Sequence, residues 1–122
     1  MDKINLADAF GRFSDHWSPK VVGDVNDAQV KLVKLAGAFE WHRHEAEDEL
    51  FLVVEGRMRM GLAEEEDIDL GPGELIIVPR GVEHRPESLT EECHVLLFEP
   101  KTTLNTGNVE SERTVRELDR LA

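Results

Sequence analysis

The chain predicts an all-β domain of the sandwich or barrel type, and three observations carry that prediction. Short apolar segments of strand length recur at residues 30–35, 39–44, 50–54, 58–62, 68–70, 75–78 and 95–98. Turn signals separate them at Gly37, Glu55-Gly56, the acidic run 64–67, Gly71-Pro72-Gly73 and Pro79-Arg80-Gly81. No stretch of helical periodicity interrupts the series, so successive strands are expected to pair with one another rather than across helices.

The flanks read differently. Leu6, Phe10, Phe13 and Trp17 recur at three- and four-residue steps, which predicts an amphipathic helix covering one side of the domain. Pro19 and Gly23 end that pattern. Beyond Pro100 the polar stretch 101–108 predicts a loop, and a last helix is expected after a cap near Asn108 or Ser111, burying Val115, Leu118 and Leu121. At 122 residues the chain accommodates one domain over 1–122, with the barrel core at about 28–100.

Composition narrows the function classes. Hydrophobic residues make up 40% and charged residues 33%, an ordinary balance for a globular domain in water. The 26 acids against 14 bases leave a net charge of −12, which opposes phosphate backbones and anionic lipid, so neither nucleic acid nor a membrane is expected as a partner. No apolar run approaches the roughly 20 residues that span a bilayer. The start, Met1-Asp2-Lys3-Ile4-Asn5-Leu6, lacks the basic and apolar pattern of a secretory leader, and a cytoplasmic location is the default expectation. Cys93, the single cysteine, excludes an internal disulfide and a thiolate-rich zinc site, and its apolar surroundings predict a small core residue.

Four of the five histidines bear on chemistry. His16 lies in the N-terminal segment and reads as a surface or packing residue. His42 and His44 stand two apart on an expected strand, so their imidazoles share a face with Glu40, while Arg43 points away. Two neutral imidazoles inside a barrel pack poorly but clamp a divalent metal well. Glu49 opens the next expected strand; its parity with Phe51 and Val53 is ambiguous, yet a carboxylate facing inward there needs a buried partner, and a metal is one. His84 follows the turn that ends strand 75–78 and can return to the interior from another strand. His94 alternates with Leu96 and Phe98 and faces whichever side they face, either lining a pocket or packing.

These residues resemble the two signature motifs of the cupin superfamily. The first runs Gly37, His42, His44, Glu49 and Gly56, with four residues before Glu49 and six after it. The second runs Gly73, Pro79, Gly81 and His84, with Ser88 where the family has Asn. Between Gly37 and His42 lie four residues where five are usual, and the spacer 57–72 has the near-minimal length of small microbial cupins. Residues 41–45 and 97–109 also look like a bacterial group of stand-alone cupins often labelled mannose-6-phosphate isomerase-like, an analogy of fold rather than of reaction.

The resemblance implies a double-stranded β-helix, the jelly-roll or RmlC-like cupin barrel, holding one divalent transition metal (Fe, Mn, Ni, Co or Zn) through His42, His44, Glu49 and His84. Such a ligand set leaves two positions open on an octahedral ion, for water or a small-molecule substrate; a zinc ion with no vacancy is the structural alternative. Glu40 is a candidate base or ligand-orienting group, and His94, Phe51 and Trp41 are candidate pocket residues. Three function classes follow: a dioxygenase, isomerase or lyase acting on a small oxygenated molecule; a non-catalytic small-ligand binding or sensing module; or a structural metal protein. The negative charge and the lack of a phosphate-binding Gly-rich loop rank sugar-phosphate isomerisation below oxygenase chemistry. Phe10, Phe13 and Trp17 add apolar surface to cover, and a homodimer is expected.

Overall fold

A computed structural model describes residues 1–121. One short helix, α1 (Leu6–Phe10), precedes eight strands: β1 (Lys20–Val25), β2 (Ala28–Leu35), β3 (Glu49–Glu55), β4 (Met58–Leu62), β5 (Ile68–Leu70), β6 (Leu75–Val78), β7 (His84–Ser88) and β8 (Cys93–Pro100). They form a five-stranded sheet in the order β1-β2-β8-β3-β6 and a three-stranded sheet in the order β5-β4-β7, every pair antiparallel. The arrangement is a jelly roll, as the motif resemblance implied.

Alternation along the strands builds the interior. Glu49, Phe51 and Val53 on β3, and Cys93, Val95, Leu97 and Glu99 on β8, are buried, while the residues between them are more exposed. Met58 and Met60 on β4 and Val78 on β6 close the core from the other side. The Cys93 thiol is fully buried, and that burial pushes it up to about 11, which suits a packing residue and not a nucleophile. A second cluster, Ala9, Phe10, Val22 and Leu32, packs α1 onto the large sheet.

Several expected boundaries move. The N-terminal helix is one short turn, capped by Asn5, whose Oδ1 accepts from the Asp8 amide at 3.0 Å, and it stops at Gly11. Glycine is costly within a helix, and Trp17 leaves the helical path with φ 60°. Trp17 belongs instead to the barrel core, its indole N–H donating to the Ala36 carbonyl at 2.9 Å. Strand β1 starts before the expected core at 28; a bulge between Val21 and Gly23 absorbs the glycine that reads in sequence as a break.

The expected C-terminal helix does not form. Residues 101–121 instead run as turns and bends pinned by side chains: Asn105 donates to the Arg113 carbonyl and accepts from the Val115 amide, and Thr106 bonds Thr114. A segment this rich in Asn, Ser and Thr offers its backbone local partners that compete with a helical ladder.

Gly56 turns β3 into β4 at φ 84°, where an added Cβ would lie 2.7 Å from the Glu92 carbonyl and 2.7 Å from Thr90 Oγ1. Gly56→Ala is predicted to lower unfolding stability by at least about 1–2 kcal/mol, from the left-handed conformation alone. Urea denaturation of the two proteins measures it.

Candidate metal centre

Three elements bring the four polar side chains together. Glu49 is the first residue of β3, His84 the first of β7, and His42 and His44 lie on the connection from β2 to β3. The expected strand 39–44 is reduced to single bridges, Ala38 to Glu87 and His42 to His84. His42 and His84 exchange both backbone hydrogen bonds, at 3.0 and 2.8 Å. Continuing that register sets Pro86 opposite Glu40, and proline has no N–H to donate, so the ladder stops. The freed Glu40 carbonyl accepts from His42 Nδ1 at 2.9 Å instead.

That local substitution orients the ligand. His84 is fixed in the same way, its Nδ1 donating to the Val82 carbonyl at 2.9 Å. With Nδ1 protonated on both rings, each Nε2 carries a lone pair aimed inward. His44 Nε2 and His84 Nε2 each lie 3.3 Å from Glu49 Oε1. The His42 and His84 ring centres are 4.4 Å apart, and the four ligand atoms all fall within 4.8 Å of one another. All four residues are buried. His44 Nε2, His84 Nε2 and Glu49 Oε1 have no hydrogen-bond partner. Orphaned lone pairs that converge in this way, from imidazoles and a carboxylate, are what a transition metal satisfies, and the four residues are in a position to bind one.

Electrostatics within the cluster agree with a cation site. Burial, then the closeness of the His84 imidazole, lowers His42 to about 4, keeping it a neutral ligand. Burial pushes the Glu49 carboxyl up, but the neighbouring His44 and His84 imidazoles together hold it below the usual carboxylate range. Beside it on β8, burial followed by the Glu49 charge raises the Glu99 carboxyl well above its ordinary value, against the opposing pull of Lys31.

The cluster opens into a narrow cavity that is partly open to solvent. Its walls are mainly apolar, with Val33, Leu35, Phe39 and Leu97 among them, and Phe51 lines it too. Two expected pocket residues do not. Trp41 is 39% exposed and lies on the outside, over Gly61 and beneath the Arg85 guanidinium. His94 faces out from β8, stacked on Phe10 at 4.6 Å, with its ring nitrogens 2.7 Å from Glu92 and 3.1 Å from Glu55. Inward residues of β8 are the odd-numbered ones, so the parity that links His94 to Leu96 and Phe98 takes it away from the site.

Glu40 also leaves the shared face, because the segment is not a regular strand. It accepts from Ser111 Oγ at 3.0 Å and lies 3.7 Å from Arg113, whose guanidinium packs over Trp17 and Phe39. Lys31 and Glu99, both buried and both lining the cavity, were not singled out in sequence. Their alternation with Val33 and Leu97 is the signal that would have found them, once those apolar neighbours are known to face inward.

Residues 30–99 match the cupin domain family, and the chain belongs to it. A cupin-2 domain protein of Shewanella frigidimarina NCIMB 400 is similar in structure, with a TM-score of 0.77 and 44% identity over 80% of this chain and 94% of that one. Among curated proteins, YdbB of Bacillus subtilis strain 168 is 34% identical over 67 residues, 55% of this chain and 59% of that protein. Acireductone dioxygenase of Rhodopseudomonas palustris strain TIE-1 is 42% identical over 55 residues, 42% of this chain. The matched stretch spans only 33% of the dioxygenase, so less than two thirds of either curated relative is covered.

Protons compete with a metal for these ligands. In the metal-free protein the depressed His42 binds its proton near pH 4, whereas the unfolded imidazole does so near 6.5. Unfolded chains therefore take up more protons between those values, and this contribution to stability, complete above about 6.5, is lost as pH falls toward 4. Bound zinc is predicted to be released over the same acid range, which dialysis against buffers from pH 8 to pH 4 with elemental analysis follows.

Proposed function

We propose that this cupin binds one divalent transition metal through His42, His44, Glu49 and His84 and uses it in oxygenase chemistry on a small oxygenated organic molecule. The observation that carries the reading is the convergence of unpartnered Nε2 and Oε1 atoms in a buried pocket that opens directly into an apolar cavity. Three imidazoles and one carboxylate favour iron, manganese, cobalt, nickel or zinc over the all-oxygen preference of calcium and magnesium. Such an ion supplies Lewis-acid polarisation of a substrate oxygen and, when it is iron, redox chemistry with dioxygen.

The protein's own residues supply the rest. His42 and His84, held through Nδ1 by backbone carbonyls, keep their free nitrogens aimed inward with no rotamer search. Phe39, Phe51 and Leu97 line the approach and exclude bulk water, and Thr103 and Asn105 at the cavity wall offer polar contacts for a substrate. Likeness to acireductone dioxygenase over 55 residues supports the oxygenase reading over an isomerase or a binding module.

Metal analysis of protein purified without added metal tests it. The expected result is near-stoichiometric iron in the wild type, a loss of at least ten-fold in metal content in His42→Ala and His84→Ala, and substrate-dependent oxygen uptake by the iron form. Tightly held zinc with no oxygen uptake across a panel of small hydroxy- and oxo-compounds would overturn the oxygenase reading.

We also infer that two copies associate through the outer face of the large sheet. Ile77, Leu50 and Phe98 stand in one row across β6, β3 and β8, and Leu75, Leu52 and Leu96 in the next. Leu75 is 54%, Ile77 58% and Phe98 36% exposed, an apolar patch that runs from the edge strand β6 across β3 to the central strand β8. Light scattering after gel filtration is expected to give a dimer for the wild type and a monomer for Ile77→Lys; a monomeric wild type refutes this assembly.

A further inference from the structure

Beyond the four metal-position residues, the cavity contains a second polar group set, Lys31 with Glu99. Antiparallel register explains how it arises. Leu50 pairs with Phe98, so Glu49 and Glu99, one residue further along each strand, stand side by side across β3 and β8. Lys31 on β2 pairs with Leu97, and Leu97 with Phe51, so Lys31, Leu97 and Phe51 form the adjoining inward row. A polar line therefore runs from Glu49 through Glu99 to Lys31, from the metal position along the cavity wall.

Each member is deeply buried. Lys31 is 1% exposed and Glu99 3%. Lys31 Nζ lies 3.4 Å from Glu99 Oε1, longer than a well-formed charge-assisted hydrogen bond, and Glu99 is its one ion-pair partner among the described residues. An ammonium has three donors to satisfy. Glu99 Oε2 has no hydrogen-bond partner. As a device for stability this pair is poor, since desolvating two charges costs about as much as a loose contact returns, and apolar residues of similar volume would serve the core as well. The arrangement fits a site with a missing third partner. With a divalent ion on its four ligands, the cavity carries net positive charge even when Glu49 and Glu99 are both ionised.

We propose that Lys31 is the anchor for an anionic oxygen group of the ligand, so that this cavity selects small carboxylates with an apolar body, and that Glu99 positions the Lys31 ammonium for that contact. The apolar walls, Phe51 and Leu97 in the same row as Lys31, take the body of such a molecule, while the carboxylate replaces the loose Glu99 contact with a direct charge-assisted one. This assignment rests on reading the cavity as the ligand site beside a metal. Lys31 is a binding residue in this scheme and Glu99 a positioning one.

Calorimetric titration of the zinc-loaded protein, which is redox-silent, tests the assignment with butanoate and 2-oxobutanoate against butanamide, the neutral counterpart of butanoate. Butanoate is expected to bind at least ten-fold more tightly than butanamide to the wild type, and Lys31→Met is expected to abolish that preference. Because Lys31→Met leaves Glu99 buried without its cation, the double variant Lys31→Met/Glu99→Gln is measured alongside and is expected to show the same loss with a wild-type melting temperature. Zinc stoichiometry, determined on every preparation, reports on the metal reading alone, whereas the acid-to-amide ratio reports on Lys31. Equal affinity for acid and amide in the wild type, no binding of either acid, or an unchanged ratio in both variants overturns the proposal.

Discussion

Placing three imidazoles and a carboxylate inside a barrel is unfavourable unless their polar atoms find partners, at a cost of about 1–3 kcal/mol for each atom left bare. Here three of those atoms, on His44, Glu49 and His84, are bare and converge on one point. Much of the surrounding architecture serves to hold that convergence. The exchanged backbone bonds of His42 and His84 tie the β2–β3 connection to β7, and Arg43 is held from the far side by Asn108, whose Oδ1 accepts from its amide at 2.8 Å. Gly107 fits under this loop only because it has no side chain: a Cβ there would lie 2.3 Å from the Arg43 carbonyl and 3.1 Å from the His42 ring.

The C-terminal segment therefore belongs to the site and is more than an appendage. Residues 101–121 cross the barrel beside the cavity, where Thr103 and Asn105 line the wall, Ser111 and Arg113 engage Glu40, and Arg113 covers the Trp17–Phe39 stack. Several side-chain to backbone bonds fix its path without a single helical turn. Lost helix propensity is offset by side-chain contacts that a helix, with its ladder satisfied internally, would not need.

Charge in this molecule is divided by location. The net charge of −12 resides largely on exposed carboxylates, which disfavour close approach of other anions. Interior charge is different in sign once a divalent ion is counted, because Lys31 accompanies the metal position while Glu49 and Glu99 offset only part of it. With a divalent ion bound, an acidic surface would surround a cationic cavity, a division of charge that disfavours bulky polyanions.

The sequence by itself determined the all-β class, the turn positions and three strands to the residue, Met58–Leu62, Ile68–Leu70 and Leu75–Val78, because apolar alternation and Gly/Pro punctuation are local signals. Motif spacing also brought out His42, His44, Glu49 and His84 as a set. Tertiary structure decided the rest. Which parity faces inward on β8 depends on its two neighbours, so His94 went outward and Glu99 inward. Whether 39–44 continues as a strand depends on Pro86, forty-odd residues away, and that proline released the carbonyl that orients His42. The buried line from Glu49 to Lys31 exists only after three strands are set side by side, since no spacing within one strand encodes a row that runs across a sheet.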